Sequence, residues 1–350
     1  MKSLSYFDAL PPYPGGKRKL NPWIFNKLNT IIPQNEWTNL TFVDAFSGGG
    51  AVSLHAKLMG FGHLISNDLS DRSHLVLQGL IANSHSKLSL STVFPLMGQR
   101  EPGFVCEHFA GSVFSQRHAL ALDSALQFIQ TIQDPTQKAL LRLLLWKRVV
   151  KFVAFGTSIG TSNRPFAEAL DGKRSFSTLN PKRLRDGSLA HLLEPSWKGL
   201  ERDMAVLNQS IFPATGKIQI YQTDVFELLP KIQGDILYVD PPYANTLGYS
   251  KANEVLDAVL FEHIPERRSE SVFTKRVEAI SEMLDLARKI PIWLLSYNDK
   301  VVDLEALAAL IKAVDPSRSV QTFGQTYAHL PHVAKRQNQE LLIIATKGSI

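Results

Sequence analysis

The sequence predicts an α/β fold in which a doubly wound sheet is interrupted by a mainly helical insertion. The chain has 350 residues, 44% of them hydrophobic, so it can bury one large core or two smaller ones. A strand, a glycine turn, a helix and a second strand succeed one another over residues 41–68, which is the opening unit of such a sheet. The same alternation returns at residue 217, after a long stretch of helical patterns. We therefore predict an α/β domain from residues 1–79 and 206–350, with an inserted region at 80–205.

The N-terminal part of the sheet is predicted from two short apolar runs. The first strand, "TFVDAF" (41–46), breaks at the glycine turn "SGGG" (47–50), and a helical pattern follows over 51–62. The second strand, "HLISND" (63–68), ends in Asp68 and leads into another helical stretch. Both strands therefore end in a turn or an acid at the same edge of the predicted sheet.

The inserted region is predicted to combine helices with one long polar loop. Pro135 suits the first position of a helix predicted over 134–155, and residues 156–188 follow as the loop. A loop of that length in a compact domain is usually functional or mobile. The sheet then resumes with strands predicted at 217–224, 235–240, 289–299 and 340–347.

Composition and charge exclude several classes of protein. Cys106 is the only cysteine, which rules out an internal disulfide and a multi-cysteine zinc site and favours a reducing compartment. The N-terminal segment lacks the apolar core of a signal peptide, and no apolar run is long enough to span a membrane. We expect a cytoplasmic protein with no membrane partner. The formal net charge of +6 is compatible with a polyanionic ligand.

The first glycine turn is a candidate binding site for a nucleoside. The segment from Asp44 to Gly50 closes the first strand, and its glycines allow a ligand to approach the backbone closely. Asp68, at the end of the next strand, is placed to accept hydrogen bonds from ribose hydroxyls. The dinucleotide glycine pattern and the phosphate loop are both absent, which points to S-adenosylmethionine rather than NAD or ATP. A structural alternative stays open, in which "SGGG" is only a tight turn and Asp68 only a helix N-cap.

A second motif, "DPPY", stands at the carboxyl end of the strand predicted at 235–240, where open α/β sheets bind their ligands. The carboxylate of Asp240 and the carbonyl of Pro241 offer two acceptors to an amino group, and Pro242 stiffens the loop. Tyr243 offers a flat surface for an unstacked base. Two acceptors favour a pyramidal amine whose lone pair can attack a methyl donor. The motif thus fits methylation of an exocyclic amine on an aromatic ring, with no metal required.

Five ordered segments resemble the Dam-like family of DNA adenine-N6 methyltransferases. They are "YPGGKRKL" (13–20), "FVDAFSGGGAVSL" (42–54), "DPPY" (240–243), "LLSYND" (294–299) and "KRQNQELLII" (335–344). The resemblance implies a Rossmann-like domain that uses S-adenosylmethionine, with the cofactor motif first, a target-recognition insertion second and the catalytic motif last. It implies modification of an adenine in double-stranded DNA.

The resemblance also implies roles for individual residues. Asp240 and Pro241 would bind the target amine, and Tyr243 would stack on the flipped adenine. Asp224 would hold the amino group of the cofactor adenine. The residues implied at the cofactor are Tyr13, Gly16, Lys17, Asp44, Phe46, Gly48, Gly50, Asp68, Asp224 and Val225, together with Asp240. Tyr13, Gly16 and Lys17 are implied beside its methionine part, and Phe226 is an alternative to Val225 as a packing residue.

Basic residues in the inserted region are candidate DNA contacts. Lysine and arginine side chains there, interleaved with Ser, Thr and Asn, could reach phosphates and base edges. The candidates are Lys147, Arg148, Lys151, Arg164, Lys173, Arg174, Lys182, Arg183 and Arg185, with Arg142 on the same predicted helix. The stretch 155–176 departs from the recognition pattern of the family, so no recognition sequence is transferred.

Three rival functions stay open. Methylation of cytosine at N4 is less favoured, because those enzymes more often carry Ser where Asp240 stands. RNA or protein-glutamine methyltransferases usually lack so large an insertion between their motifs. A DNA-binding module without catalysis is disfavoured by the intact motif. Methylation at the cytosine ring carbon is excluded, because it needs a cysteine after a proline and Cys106 follows Val105.

We expect a monomer, and a cognate restriction or defence system is a possible partner.

Overall fold

A computed structural model of the chain describes residues 5–13, 15–98, 101–152, 197–244, 253–264, 271–298, 302–327 and 338–348. The chain divides into two compact units. The sheet unit comprises Gly15–Leu77, Pro213–Gly248 and Ser269–Ile350. The helical unit comprises Met1–Pro14, Gln78–Phe212 and Tyr249–Arg268. Residues 1–14 and 249–268 therefore group with the helical unit, which the sequence did not predict.

In the sheet unit, seven strands of the described chain form one sheet. They are β1 (Thr41–Asp44), β2 (His63–Asn67), β3 (Lys217–Tyr221), β4 (Ile236–Val239), β5 (Ile292–Asn298), β6 (Arg318–Tyr327) and β7 (Asn338–Lys347). Their order is β3-β2-β1-β4-β5-β7-β6. The first five run parallel, and β7 is antiparallel to both β5 and β6. This doubly wound, mixed sheet confirms the predicted fold class.

Helices and apolar strands build the core of the sheet unit. Helices are numbered in chain order, so the numbers skipped here belong to the helical unit described next. The helices of the sheet unit are α1 (Asn21–Asn29), α2 (Ala51–Met59), α3 (Asp71–Val76), α9 (Val225–Leu228), α11 (Val272–Lys275), α12 (Ala279–Leu286) and α13 (Leu304–Val314). Strands β4 and β5 are buried along their whole length, as expected for parallel strands covered on both faces. The apolar side of α13 is buried against the same core, and the Asp303 side chain caps its first turn.

The helical unit contains α4 (Leu90–Val93), α5 (Phe104–Phe109), α6 (Gln116–Thr131), α7 (Pro135–Phe152), α8 (Leu200–Gln209) and α10 (Glu254–Phe261). Helix α7 begins at Pro135 as predicted, because that position needs no backbone donor. The carboxylate of Asp123, on α6, accepts hydrogen bonds from the backbone of Gly103, Val105 and Cys106 and so fixes the start of α5. No helix among the described residues is long and apolar enough to cross a membrane.

Strands β1 to β5 are shorter than the sequence predicted, β7 begins two residues earlier than predicted, and one strand was missed. Strand β2 ends at Asn67 and β3 at Tyr221, so Asp68 and Asp224 lie just beyond the strands rather than in them. Strand β6 was not predicted. It lies at an edge of the sheet and most of its side chains are exposed, so it carries no apolar run that would mark it as a strand.

One buried cation links β6 to the beginning of β5 in the sheet unit. Arg318 begins β6 and is fully buried, and its guanidinium donates to the Asp315 carboxylate at 3.1 Å. The same group donates to the carbonyls of Pro291 and Ile290 at 2.8 Å each, and it lies 3.4 Å from the centroid of the Trp293 ring. A planar, five-donor group fits this arrangement, and an ammonium does not.

We predict that Arg318→Met lowers the free energy of unfolding by about 3–5 kcal/mol, because it removes the buried guanidinium that pairs with Asp315 Oδ2 and donates to the Ile290 and Pro291 carbonyls. Urea unfolding followed by tryptophan fluorescence measures the change. The half-exposed pair of Arg288 and Asp285 gives a matched control, for which Arg288→Met should cost less than about 1 kcal/mol. Equal losses for the two variants would contradict this account of Arg318.

Candidate active site

The carboxyl ends of the parallel strands meet at one edge of the sheet and are tied together there by backbone hydrogen bonds. The N–H of Ala45 donates to the Tyr238 carbonyl at 3.1 Å, which links β1 to β4. The N–H of Ser47 donates to the Asn67 carbonyl at 2.8 Å, which links β1 to β2. The buried Asn67 amide also donates to the Ala45 and Thr223 carbonyls. The loops that follow β1, β2 and β3 are therefore held in a fixed arrangement.

The glycine turn after β1 is closed by the carboxylate of Asp68. Gly48 and Gly50 have φ angles of 50° and 76°, a left-handed conformation that glycine adopts without strain. Asp68 Oδ2 accepts from the Gly48 N–H at 2.8 Å, and Oδ1 accepts from the Ser70 N–H at 3.0 Å. Ser70, rather than Asp68, is the N-cap of α3. The alternative of Asp68 as that cap is therefore wrong, and its carboxylate stays half-buried beside the turn.

Asp44 lies beneath the same turn with its carboxyl group fully buried. Its Oδ2 accepts from the Ser53 hydroxyl at 2.6 Å, and Ser53 also lies 2.8 Å from the Ser66 hydroxyl. Its Oδ1 is buried and has no hydrogen-bond partner among the described residues. Burial raises the pKa of Asp44 to about 7, and the nearby carboxylates of Asp240 and Asp68 act in the same direction.

Three aromatic rings of the sheet unit form a cluster. They belong to Phe46 after β1, Phe226 in α9 and Phe273 in α11. The rings of Phe46 and Phe273 meet edge to face with centroids 5.2 Å apart, and Phe226 stacks on Phe273 at 5.6 Å. Val225 beside them is buried. Asp224 caps α9 through a hydrogen bond from the Phe226 N–H and is otherwise exposed. Phe273 was not predicted as a site residue, since nothing in its local sequence marks it.

The side chain of Lys17 reaches the DPPY motif. It is buried, and its Nζ lies 2.9 Å from Asp240 Oδ1 and 2.8 Å from Oδ2. It also donates to the Gly15 carbonyl at 3.1 Å and to the Tyr243 hydroxyl at 2.8 Å. The predicted place of Lys17 was beside the methionine part of a cofactor. The structure puts its ammonium on the carboxylate of the predicted catalytic acid, and its place beside a cofactor stays a prediction.

A second carboxylate, Glu340, completes this cluster and was not predicted from the sequence. It lies on β7, is fully buried, and its Oε1 is 3.2 Å from the Lys17 ammonium. The same oxygen accepts from the Ser296 hydroxyl at 2.5 Å and lies 3.3 Å from the Tyr243 hydroxyl. The available signal was an acid inside an otherwise apolar run, "ELLII". Such a residue is rarely buried unless it is paired.

The ring of Tyr243 packs edge to face against Tyr297 with centroids 4.9 Å apart, and Tyr243 is 9% exposed. Its hydroxyl lies within 3.3 Å of Asp240, Glu340 and Lys17. The Tyr297 hydroxyl in turn accepts from the Ala244 N–H at 3.0 Å, which fixes the loop just after the motif. Pro241 is buried and Pro242 half-buried in the same loop.

The ionisation of the cluster follows from burial and charge. Burial raises the pKa of Asp240 to about 6, Lys17 opposes this rise, and the negative charge of Glu340 adds to it. For Lys17, burial lowers the pKa, but the combined attraction of Asp240 and Glu340 outweighs it and the pKa lies well above its usual value. At neutral pH the site therefore holds the Lys17 ammonium against an ionised Asp240.

The remaining predicted residues are distributed as follows. Gly16 is exposed in the sheet unit, whereas Tyr13 is half-buried and belongs to the helical unit. No group of side chains suited to a metal ion occurs in the described parts of the chain. The candidate DNA contacts Arg164, Lys173, Arg174, Lys182, Arg183 and Arg185 lie outside the described residues, as does the side chain of Lys151.

Arg148 corrects one prediction of the DNA-contact set. Its side chain is fully buried in the helical unit, forms an ion pair with Asp203, and donates to the Lys198 carbonyl at 2.9 Å. A guanidinium held in this way stabilises the packing of α7 against α8 and does not face a phosphate. Lys147, its neighbour, is half-buried. Helical periodicity alone did not distinguish the inner residue from the outer one.

A Rossmann-like sheet with a glycine turn after β1 and an acid–proline–proline–tyrosine motif after β4 defines an amino-group methyltransferase. The family model of the D12 class N6 adenine-specific DNA methyltransferases matches residues 13–121 and 194–299, which together are more than half of the chain. The chain belongs to this family and is an adenine-specific DNA methyltransferase.

Curated relatives agree with this assignment. The chain is 25% identical to the type II methyltransferase M2.HphI of Haemophilus parahaemolyticus over 344 residues, which cover 95% of this chain and 98% of that protein. It is 24% identical to the type II methyltransferase M.NlaIII of Neisseria lactamica, over 71% of this chain and 68% of that one. It is 25% identical to the modification methylase LlaI of Lactococcus lactis subsp. lactis, over 89% of this chain and 50% of that protein.

We predict that Asp44→Asn stabilises the protein at alkaline pH. Because burial raises the pKa of Asp44 from 3.8 to about 7, the folded state holds a proton that the unfolded state releases within this range. The wild type therefore loses stability as pH rises from about 4 to 7, on the order of 2–4 kcal/mol at most, and the variant avoids this loss.

Urea unfolding of both proteins at pH 4.5 and pH 8 (chosen as roughly the two ends of this range) measures the effect. The exposed Glu305→Gln variant serves as the control for loss of one negative charge. A stability difference that is the same at both pH values would contradict the buried, proton-binding state of Asp44.

Proposed function

We propose that this methyltransferase transfers the methyl group of S-adenosylmethionine to N6 of an adenine rotated out of double-stranded DNA, with Asp240 holding the target amine. The observation that carries the proposal is the position of Asp240. Its carboxylate directly follows β4, is 19% exposed, and is kept ionised by the buried Lys17 ammonium. Asp240 therefore places a negative charge at the carboxyl ends of the parallel strands, which is the edge where sheets of this kind bind their ligands.

The residues around the glycine turn fit S-adenosylmethionine. The turn leaves no Cβ atoms at Gly48 and Gly50, and the buried Asp44 Oδ1 has an unused acceptor among the described residues. Asp68 would accept from the ribose hydroxyls, since each of its oxygens makes one hydrogen bond and keeps a second lone pair. The rings of Phe46 and Phe226 would pack on apolar parts of the cofactor, and Asp224 would accept from its adenine amino group.

For this reaction the protein needs to position the two reactants and to stabilise the charge that develops on the amine. S-adenosylmethionine, when bound, supplies a methyl group on a sulfonium. The nitrogen–carbon bond forms as the electron pair of the sulfur–carbon bond returns to sulfur, and the methylated amine then releases one proton to water. Asp240 and the Pro241 carbonyl would accept from the two amine hydrogens, which favours a pyramidal nitrogen. Because that nitrogen becomes positive in the transition state, the fixed negative charge of Asp240 stabilises it. The ring of Tyr243 would offer a flat surface to the extruded base.

We further propose that the helical unit, with the basic stretch of the inserted region at 80–205, recognises the target sequence. Support comes from the order of motifs and from the lysines and arginines at 173–185. The type II relatives indicate that a restriction enzyme could accompany this protein. We propose a monomer, because one strand is modified at a time. We also propose that it acts in the cytoplasm. Methylation of cytosine at N4, or of adenine in RNA, is the alternative outcome that product analysis distinguishes.

We predict that Asp240→Ala lowers the methyl-transfer rate by about 100- to 1,000-fold or more, because it removes the charge and the acceptor at the reacting amine. The assay follows a labelled methyl group from S-adenosylmethionine into unmethylated genomic DNA, with digestion to nucleosides. In the wild type, the label should appear in N6-methyladenine.

The matched control is Asp235→Asn, because Asp235 lies just before the opposite end of the same strand and accepts from the Thr41 N–H there. Its rate per folded molecule should stay within about twofold of the wild type. Wild-type transfer by Asp240→Ala would contradict the mechanism. Label in N4-methylcytosine would contradict the choice of base.

We predict that DNA affinity falls steeply with salt and that the triple variant Lys182→Gln/Arg183→Gln/Arg185→Gln reduces the slope of log K against log salt by about 3. Fluorescence anisotropy with a labelled duplex measures it at several salt concentrations. Arg148→Met should instead destabilise the protein and leave the slope unchanged, because its side chain is buried in an ion pair. An unchanged slope in the triple variant would contradict the proposed DNA surface.

A further inference from the structure

Glu340 has no part in the mechanism above, although it is a fully buried acid in contact with the catalytic motif. Its Oε1 receives the Ser296 hydroxyl and lies beside the Lys17 ammonium and the Tyr243 hydroxyl. Its Oε2 is also buried and has no hydrogen-bond partner among the described residues. A buried carboxylate oxygen without a donor is costly, so a donor that arrives during the reaction cycle would explain why it is kept.

The distances also show a competition at Asp240. Both of its oxygens lie within 2.9 Å of the Lys17 ammonium, and Oδ1 is additionally 3.2 Å from the Tyr243 hydroxyl. The proposed function requires the same carboxylate to accept hydrogen bonds from the target amine. In the observed arrangement the ammonium contacts both oxygens and Oδ1 has the Tyr243 hydroxyl as a second donor, so Oδ2 keeps one lone pair for the amine. The amine and the ammonium therefore share this carboxylate, and partial withdrawal of the ammonium would strengthen its contact with the amine.

We propose that Glu340 is a positioning residue that takes up the Lys17 ammonium when the target amine binds Asp240. This inference rests on the proposed function of Asp240. The ammonium is already 3.2 Å from Glu340, so a small rotation of the lysine side chain completes the transfer. The Tyr243 hydroxyl lies 3.2 Å from Asp240 and 3.3 Å from Glu340, and its single proton can turn to either acid. Asp240 is then a bare anion facing the amine, which gains positive charge as it reacts.

Removing the charge of Glu340 should leave the ammonium on Asp240. With Glu340→Gln, Asp240 is the only anion in direct contact with Lys17, so the amine must displace a tighter ion pair. The single-turnover rate with saturating cofactor should fall about 10- to 100-fold, the range for loss of a charged hydrogen-bond partner. Affinity for S-adenosylmethionine should stay within about twofold, since Glu340 does not line the glycine turn.

The pH profile separates this role from a merely structural one. The groups that act on the Asp240 charge are Lys17, Glu340, Tyr243, Tyr238 and Asp44. Glu340→Gln removes a negative neighbour and so lowers the pKa of Asp240, which moves the acid limb of the rate profile to lower pH. Lys17→Met removes the positive neighbour and moves the acid limb to higher pH. A variant that only loosens the fold shifts the limb in neither direction.

The experiment compares single-turnover methyl transfer to unmethylated genomic DNA by the full-length wild type, Glu340→Gln, Lys17→Met and the double variant, from pH 5 to 8 (roughly spanning the expected titration). If Glu340 acts through Lys17, its substitution should change the rate less than about twofold in the Lys17→Met background. Asp315→Asn is the matched control, because Asp315 is also a buried, ion-paired acid of the sheet unit. Its acid limb should coincide with that of the wild type.

A Glu340→Gln variant with the wild-type rate and acid limb, or with a full additive loss in the Lys17→Met background, would overturn the inference. If that variant does not fold, Glu340→Asp keeps the charge but shortens its reach to Lys17, and a wild-type rate there would overturn it equally. Asp240→Ala tells the two proposals apart. If it is inactive while Glu340→Gln is normal, only the role of Glu340 fails; if it is active, the proposed function itself fails.

Discussion

The buried ammonium of Lys17 is the interaction on which the rest of the site depends. Desolvation opposes the charge of both Lys17 and Asp240 in this position. The ammonium lies within 3.2 Å of the carboxyl groups of Asp240 and Glu340, and it favours the ionised form of Asp240. The negative charge of Asp240 can stabilise a nitrogen that becomes positive during methyl transfer. The cluster also has a cost, since a buried ion pair adds little net stability to a fold.

The topology of the sheet explains how such distant residues come together. Lys17 precedes the first strand, Asp240 follows β4, and Glu340 lies on β7, which pairs antiparallel with β5. The strand order places β4, β5 and β7 side by side, so the last strand delivers its acid next to the catalytic loop. Asp44 carries a similar cost on β1, where burial raises its pKa to about 7. The binding edge of this sheet is thus built from groups that folding alone would not favour.

Sequence reasoning reached the fold class and the family because local patterns carry both. The turn that ends at Gly50 and the prolines after Asp240 need only neighbouring residues to be recognised. The local patterns did not show which charged side chains are buried. Lys17 reads as a solvated charge, and Arg148 reads as a surface residue on a basic helix, yet both are buried in ion pairs with partners 223 and 55 residues away. Glu340 was missed for the same reason, since its partners lie on other strands, and the edge strand β6 was missed because it has no apolar face.

The Lys17 ammonium sets the charge state of Asp240 in this account of the site. Carbon-13 NMR of protein labelled at the aspartate carboxyl groups measures it directly, with Asp240→Asn used to assign the resonance. In the wild type the Asp240 carboxyl should titrate with a pKa of about 6. In Lys17→Met the pKa should rise, because burial then acts without the opposing positive charge. The same titration curve in both proteins would contradict the account.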